Sequence, residues 1–476
     1  MTSILKDILP PSEKSDMTLV ARIRDIWQGK MLDVAKILLE SFPFWYHDNM
    51  EQTQQVFWTE NHYIMNVSCE WLLHELLDIS PSNHLIDRLY SFLDVKMQIG
   101  FAEFLSPVYL PFTITALLNL YDLTAFTLIK SKCAHLLDML AYHIENVSLS
   151  NGSIISCSGR SYIRHRESTK NHLSLFIHFL NNDTEALQKS YDGFALKKAL
   201  LKTLYIPSSS VYNYQIVVNL NSSFSTLLDA LATHENQCDI YVSLLWNYGA
   251  YLPLHKKAIS IILTFMKKYN LWKHPHFKRL NPVYTIFKCF PPSCLTNVIY
   301  ALGYLAKPYA TGSLLTNANM YIFKEGNVVM SSLINYNSGL PIFQQNIWAV
   351  NLAGVPIWAS LGKQGSVFCL SSLGNAEAST EMSTGKVTPH VIQDGRYLTA
   401  IYNHSRLSFP NAKLQIFWPT DKFDDHGVLN SKWYWARKNT AVIAYHISDQ
   451  THLHITVIDL YTRNISLEQF LTVFLI

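Results

Sequence analysis

Charge is scarce in this chain. Asp, Glu, Lys and Arg make up only 15% of its 476 residues, and the formal balance is +3. Beyond Lys256-Lys257, Lys267-Lys268 and the scattered Arg160, Arg164 and Arg166, no basic tract occurs. A broad phosphate-tracking surface is therefore excluded, and no nucleic-acid partner is expected. A local basic pocket for an acidic ligand is still compatible with these numbers. Cysteine is sparse too. The seven thiols (Cys69, Cys133, Cys157, Cys238, Cys289, Cys294 and Cys369) are odd in number, dispersed, and form no Cys-x-x-Cys pair. That pattern argues against a disulfide scaffold and a thiolate zinc site, and predicts reduced, buried cysteines. No run of about 18 apolar residues is present, so no membrane-spanning helix is expected. Met1 to Ser15 contains Lys6, Asp7, Pro10, Pro11, Glu13 and Lys14 and lacks the apolar core of an export signal. The default location is the cytoplasm, with export by a route that needs no such signal left open. His390, His404 and His426 are scattered, which gives no ground for a metal or other cofactor.

What the chain has in abundance is apolar and aromatic surface, 49% and 13% of residues. This is a globular composition, and the length exceeds one ordinary core, so two domains are expected. Helical spacing dominates the first 300 residues. Helices are predicted at 17–28, 31–42, from Glu60 to about Leu77, and from Leu85 to Val95, closed by Gly100. Others begin near Pro111 and span about Ala125 to Ile144, 172–180, 184–191, 195–204, 223–232 and 239–272. Paired helices on short loops suggest a bundle, solenoid or toroid. Beyond about residue 305 the texture changes, and 11 of the 17 glycines lie past residue 300. Alternating runs at 319–323, 328–334, 397–402, 441–447 and 452–460 predict an antiparallel β-sandwich. The expected division is thus a helical domain over 1–304 and a sandwich over 305–476. Residues 280–307 serve as the connection, and the apolar end, Leu467 to Ile476, is a candidate final strand or the place where the sandwich is cut short.

Three stretches concentrate polar chemistry. Glu60-Asn61-His62 places a carboxylate, a carboxamide and an imidazole at the start of a helix. His62 shares a helical face with Met65, Cys69, Leu72 and Leu76 and is expected to point inward. The plain alternative is a buried hydrogen-bond network. Glu103-Phe-Leu-Ser-Pro-Val-Tyr109 holds a carboxylate, a hydroxyl and a phenol in a Pro-stiffened segment entering a helix. Equally, Tyr109 would pack at the helix start while Glu103 favours its positive end. Ser158-Gly-Arg-Ser-Tyr162 follows a small-residue loop and could aim the Arg160 guanidinium and Tyr162 phenol into a cleft. Arg suits two-pronged capture of a carboxylate, although an ordinary surface Arg would look the same.

The order of these motifs resembles the heparinase II/III-type and alginate-type polysaccharide lyases. Five segments carry the resemblance: Trp58-Thr-Glu-Asn-His62, Gly100 to Tyr109, Gly159 to Tyr162, Gln344-Gln-Asn-Ile-Trp348 and Trp435-Ala-Arg-Lys438. It runs from about residue 56 to 447 and is nearest to a group of large, poorly characterised bacterial proteins. It implies an α/α-toroid, an incomplete helical barrel, followed by antiparallel β-sheets. It also implies an acidic oligo- or polysaccharide as partner and β-elimination next to a uronic acid. His62, Tyr109 and Asn61 would then be catalytic, with Glu60, Glu103, Arg160, Tyr162, Gln345 and Trp348 around the sugar. The chain departs from the pattern at Asn346, where related proteins tend to carry His, and no second-domain histidine matches the one the lyases usually add. Two other readings follow from the same residues. One is an inverting glycoside hydrolase using Glu60 and Glu103. The other is a catalytically degenerate relative that binds glycans.

Overall fold

The computed structural model describes residues 31–46, 59–161, 172–180, 217–218, 238–247, 256–271, 292–305, 318–336, 345–362, 388–402, 413–449 and 451–473. The helices predicted at 17–28, 184–191, 195–204 and 223–232 lie outside this set. Among the described residues the earlier part is helical and the later part is antiparallel sheet.

Helix α1 (Met31–Ser41) leads to α2 (Glu60–Leu76), whose N-cap Thr59 is extended. Helix α3 (Asn83–Ile99) starts at Ser82, whose hydroxyl accepts from Leu85 N at 3.1 Å. It stops at Gly100, whose φ of +71° turns the chain out of the helix. Helix α4 (Leu110–Leu123) carries Pro111 in its first turn, where a missing N–H costs nothing. Helix α5 (Thr127–Val147) follows directly.

Helices α2 and α4 pack along their length and run parallel. Their C-terminal ends are joined: Trp71 Nε1 donates to Thr124 Oγ1 at 3.2 Å, Ala125 N to Glu75 Oε2 at 2.7 Å, and Thr124 Oγ1 to Glu75 Oε1. Counting back fifteen residues from Glu75 and from Thr124 reaches Glu60 and Tyr109. At 1.5 Å per residue, each N-terminal end lies about 22 Å back along its helix, and there Glu60 accepts from Ala102 N and Glu103 N of the loop before α4. Helix α3 meanwhile meets α5, where Lys132 is paired with Asp94 and lies over the Tyr90 ring. Helix α2 thus packs on α1, α3 and α4, and α5 packs on α3 and α4.

A short strand β1 (Ser158–Arg160), helix α6 (His172–Leu180), strand β2 (Val217–Val218) and helices α7 (Cys238–Asn247), α8 (Lys256–Lys268) and α9 (Pro292–Leu305) come next. The stretch expected as a plain connection thus contains α9. The strands that follow are β3 (Ala318–Glu325), β4 (Val328–Ile334), β5 (Gln345–Asn346), β6 (Trp348–Leu352), β7 (Val355–Gly362), β8 (His390–Asp394), β9 (Tyr397–Ile401), β10 (Lys413–Phe417), β11 (Asp425–Leu429), β12 (Trp433–Lys438), β13 (Ala441–Ser448) and β14 (His452–Asp459). All but β5, which pairs with β1, join β2 in two six-stranded antiparallel sheets, ordered β10-β7-β6-β4-β3-β2 and β11-β12-β13-β14-β9-β8. Met330, Val350 and Ile357 of the first sheet share a core with Leu398, Ile443 and Ile455 of the second, and the same core continues into Leu117, Leu137 and Phe176 of the helices. Asp459 stitches sheet ends together by accepting from Asn327 N, Thr440 Oγ1 and Thr462 N at 2.7–2.9 Å.

After a helical turn α10 (Leu460–Arg463), the chain ends its described part in helix α11 (Leu467–Val473) rather than in a strand. The reason is a reciprocal cap. Gln469 N donates to Ser466 Oγ at 3.1 Å, and Ser466 N donates to Gln469 Oε1 at 2.7 Å. Phe470 of α11 is fully buried against Val442, Ala444 and Ile458 on the outer face of the second sheet.

Candidate functional site

Glu60 is the first residue of α2 and has no exposed surface. Its carboxylate meets the Lys96 ammonium of α3 at 2.5 Å, and Lys96 is equally buried. Both oxygens also accept backbone donors from the loop before α4: Glu103 N on Oε1 at 2.5 Å and Ala102 N on Oε2 at 3.0 Å. Lys96 Nζ lies 5.5 Å from the ring centres of Phe92 and Phe101, a cation–π cage. Glu60 thus ties two helices and a loop together at the end where α2 and α4 begin.

Asn61 is buried, and its Oδ1 has no hydrogen-bond partner. His62, expected to face inward, is exposed. Helix α2 explains the difference. It is buried on nearly every side, from Tyr63 through Cys69, so spacing from Met65 and Cys69 does not mark an inside face. The open side of its first turn is where His62 stands. Nδ1 of His62 lies 2.5 Å from Thr59 Oγ1, and the His62 carbonyl accepts from Asn66 Nδ2 at 2.7 Å, so ring and backbone are both oriented.

The loop from Gly100 to Tyr109 is unusual in its backbone. Leu105 holds a φ of +48°, in the left-handed region that a branched side chain rarely enters. Ser106 Oγ then accepts from Tyr109 N at 3.1 Å, fixing the entry into α4. Tyr109 is half-buried at the helix start, and Glu103 is fully buried.

Gly159 fastens this loop to the strand half. Its N–H donates to the Phe104 carbonyl at 2.8 Å. A Cβ at this position would fall 2.2 Å from the Ala102 carbonyl oxygen, so only glycine permits the approach. On the other side, β1 pairs with β5, bringing Arg160 opposite Gln345 and Ser158 opposite Asn346. Asn346 Nδ2 donates to the Ser156 carbonyl at 3.0 Å, and Cys157 N to Ser331 Oγ at 2.8 Å. Four of the five motif segments thus form one hydrogen-bonded chain, from Glu60 through Ala102–Phe104 and Gly159–Arg160 to Gln345–Asn346. Tyr162 lies outside the described residues.

Trp348 does not offer a ring to a ligand. It is 1% exposed, and its Nε1 donates to the Tyr402 hydroxyl at 2.9 Å. Strand β6 is buried along its whole length, so alternation gives it no outer face. Gln345 is likewise buried. The fifth segment, Trp435 to Lys438, sits on β12 of the other sheet, with Ala436 in the core and Lys438 paired to Asp424. Lys96, Thr59 and Gly159's acceptor Phe104 were not singled out in the sequence. A lysine at the end of an apolar helix face, as Lys96 is after Leu89, Phe92 and Leu93, was the available signal.

Other titratable groups are perturbed by burial. His143 in α5 is pushed down to about 4, and desolvation lifts the Cys157 thiol to about 12 and Cys133 beyond that. Cys69, Cys133 and Cys157 are free and buried. Among the described residues no three His, Cys, Asp or Glu side chains are grouped to hold a metal ion, and no helix is long and apolar enough to cross a membrane. Compared with protein families, with curated proteins and with solved structures, the chain matches none of them.

Proposed function

We propose that this chain is a carbohydrate-active protein of the polysaccharide-lyase type, similar to the heparinase II/III and alginate enzymes, acting on an acidic oligo- or polysaccharide. In this reading the helices belong to an α/α-toroid and the paired sheets to a β-sandwich. The observation that supports it is the hydrogen-bonded link between the start of α2 and the loop that enters α4. The helix start bears exposed His62, the loop ends at half-buried Tyr109, and both are joined to the Arg160–Gln345 strand pair.

The physical case is one of charge. Two helix N-termini at one end create a positive potential suited to a carboxylate. Abstraction of the uronate C5 proton needs that carboxylate neutralised, so that the developing enolate-like charge is stabilised. Buried Asn61, with Arg160, supplies such groups. A base then takes the C5 proton, the C4–O4 bond breaks, a C4–C5 double bond forms, and an acid protonates O4. His62 and Tyr109 fill these roles, with Tyr109 able to serve both on one face of the ring.

The hydrolase alternative is less favoured, because both oxygens of Glu60 are engaged by Lys96 and two backbone donors, with no exposed surface. A glycan-binding relative without turnover is favoured by one observation: Asn346 spends its amide on Ser156 at a position where related proteins tend to carry His. Near-ultraviolet absorbance of an unsaturated product separates the readings. The expected result is such absorbance with at least one uronate polymer or oligomer, abolished in Tyr109→Phe and His62→Ala at unchanged thermal midpoint. New reducing ends without absorbance would instead support hydrolysis, and neither signal would support binding alone.

A further inference from the structure

Away from the His62–Tyr109 end, a cavity of about 500 Å³ opens between the helical and strand halves. Its walls come from the loop after α5, from α6, from the β6–β7 turn, from the turn at Asp421–Phe423 and from Lys438 on β12. Apart from Lys438, at the end of the fifth segment, it shares no residue with the site described above. The size lies in the range of small-ligand pockets.

One wall is set rigidly. Asn351 Nδ2 donates to Ser153 Oγ at 3.1 Å, Gly354 N to Asn351 Oδ1 at 2.9 Å, and Asn151 Nδ2 to the Ala353 carbonyl at 3.2 Å. Two left-handed glycines keep the rim open. A Cβ on Gly152 would meet the His178 ring at 3.0 Å, and one on Gly354 would meet Asn151 Nδ2 at 3.2 Å. A preformed wall lowers the ordering cost of binding.

The lining is amphipathic and electrically balanced. Lys438 is paired with Asp424 at 2.6 Å, and Asp421 and Lys422 add one formal charge of each sign to the lining. The half-buried Phe423 also lines the cavity, beside the hydroxyl and amide groups of Ser153 and Asn151. From it an aromatic line leads outward: Trp418 at 5.0 Å, then Tyr445 at 4.8 Å from Trp418, then Tyr434 stacked on Tyr445 at 5.0 Å and 44% exposed. A pyranose has this same division, with an apolar C–H face and a rim of hydroxyls.

We propose that the cavity is a binding site for an uncharged saccharide unit of one or two rings, held by the Phe423 ring and the Ser153–Asn151 wall. It stands independently of the β-elimination reading. The test titrates the full chain with cellobiose, maltose, lactose and chitobiose, and with glucuronate as the charged comparison, followed by saturation-transfer NMR and calorimetry. Saturable binding of at least one neutral disaccharide is expected, about tenfold weaker in Phe423→Ala and in Asp421→Ala and unchanged in His62→Ala. Asp421 is exposed, so its variant keeps the test sound if Phe423→Ala lowers the thermal midpoint. The proposal is overturned if none of the four disaccharides saturates, if both variants bind as the wild type does, or if glucuronate is preferred.

Discussion

Replacing Lys96 by methionine is the sharpest test of how the helix starts are held. Lys96→Met keeps most of the side-chain volume and removes the ammonium from a site with no exposed surface. The Glu60 carboxylate then retains two backbone donors, Ala102 N and Glu103 N, but loses its counter-charge at 2.5 Å. Removing one partner of a buried pair costs about 3–5 kcal/mol, because the remaining charge stays desolvated. That is a large share of the roughly 5–15 kcal/mol by which a domain is usually stable. Glu60→Gln should cost a similar amount, this time by leaving the ammonium without its carboxylate. Glu60→Leu alone removes the carboxylate from both the ammonium and the two N–H groups, whereas the double variant Glu60→Leu with Lys96→Met removes both charges and leaves only the two N–H groups unanswered, each costing about 1–3 kcal/mol. Its cost should therefore fall well below the sum of the singles, by about 2 kcal/mol or more. Urea unfolding at constant slope measures all of these. A Lys96→Met cost under about 1 kcal/mol, or strict additivity, would refute the structural role. Glu60→Gln with unchanged stability and lost hydrolysis would point to a catalytic carboxylate instead.

Other outcomes follow from the same geometry. Gly159→Ala puts a methyl 2.2 Å from the Ala102 carbonyl, and should lower stability by about 1–3 kcal/mol in chemical denaturation. If it is silent, the two backbones do not meet. Ser106→Ala removes the acceptor for Tyr109 N and should cost about 1 kcal/mol. If the Tyr109 assignment is right, it should also lower turnover more than substrate affinity. His143 is held neutral to about pH 4 by burial, below its unfolded value of 6.5. The unfolded chain therefore takes up the proton first. This contribution is fully present above pH 6.5 and is lost as pH falls from 6.5 toward 4, about 3 kcal/mol in all. His143→Gln should flatten that limb of the stability–pH curve, and an unchanged limb would show that His143 is accessible.

Much of the architecture was legible because its signals are local. The 3.6-residue spacing of Leu85, Leu89 and Phe92, the stop at Gly100 and the proline in the first turn of α4 all act within a few residues of themselves. Alternation served equally well for β4, β13 and β14. The end of the chain was misread from its apolar content, although Ser466-Leu-Glu-Gln469 carried a capping box that only a helix uses. Helix α9 was passed over because Pro291 and Pro292 mark a helix start as readily as a linker.

The site was legible as a set of segments and illegible as a geometry. The sequence itself determined that helices precede sheets, and that carboxylate, amide, imidazole and phenol gather at helix starts. Periodicity, caps and turn residues are short-range physics. Only the tertiary structure decided that His62 faces outward from a helix buried almost all round, and that Trp348 is sealed against Tyr402. It also decided that Glu60 is matched to Lys96, 36 positions along the chain. Burial and ion pairing depend on which surfaces meet, and those meetings, such as Gly159 against Ala102 and β1 against β5, join residues far apart in the chain.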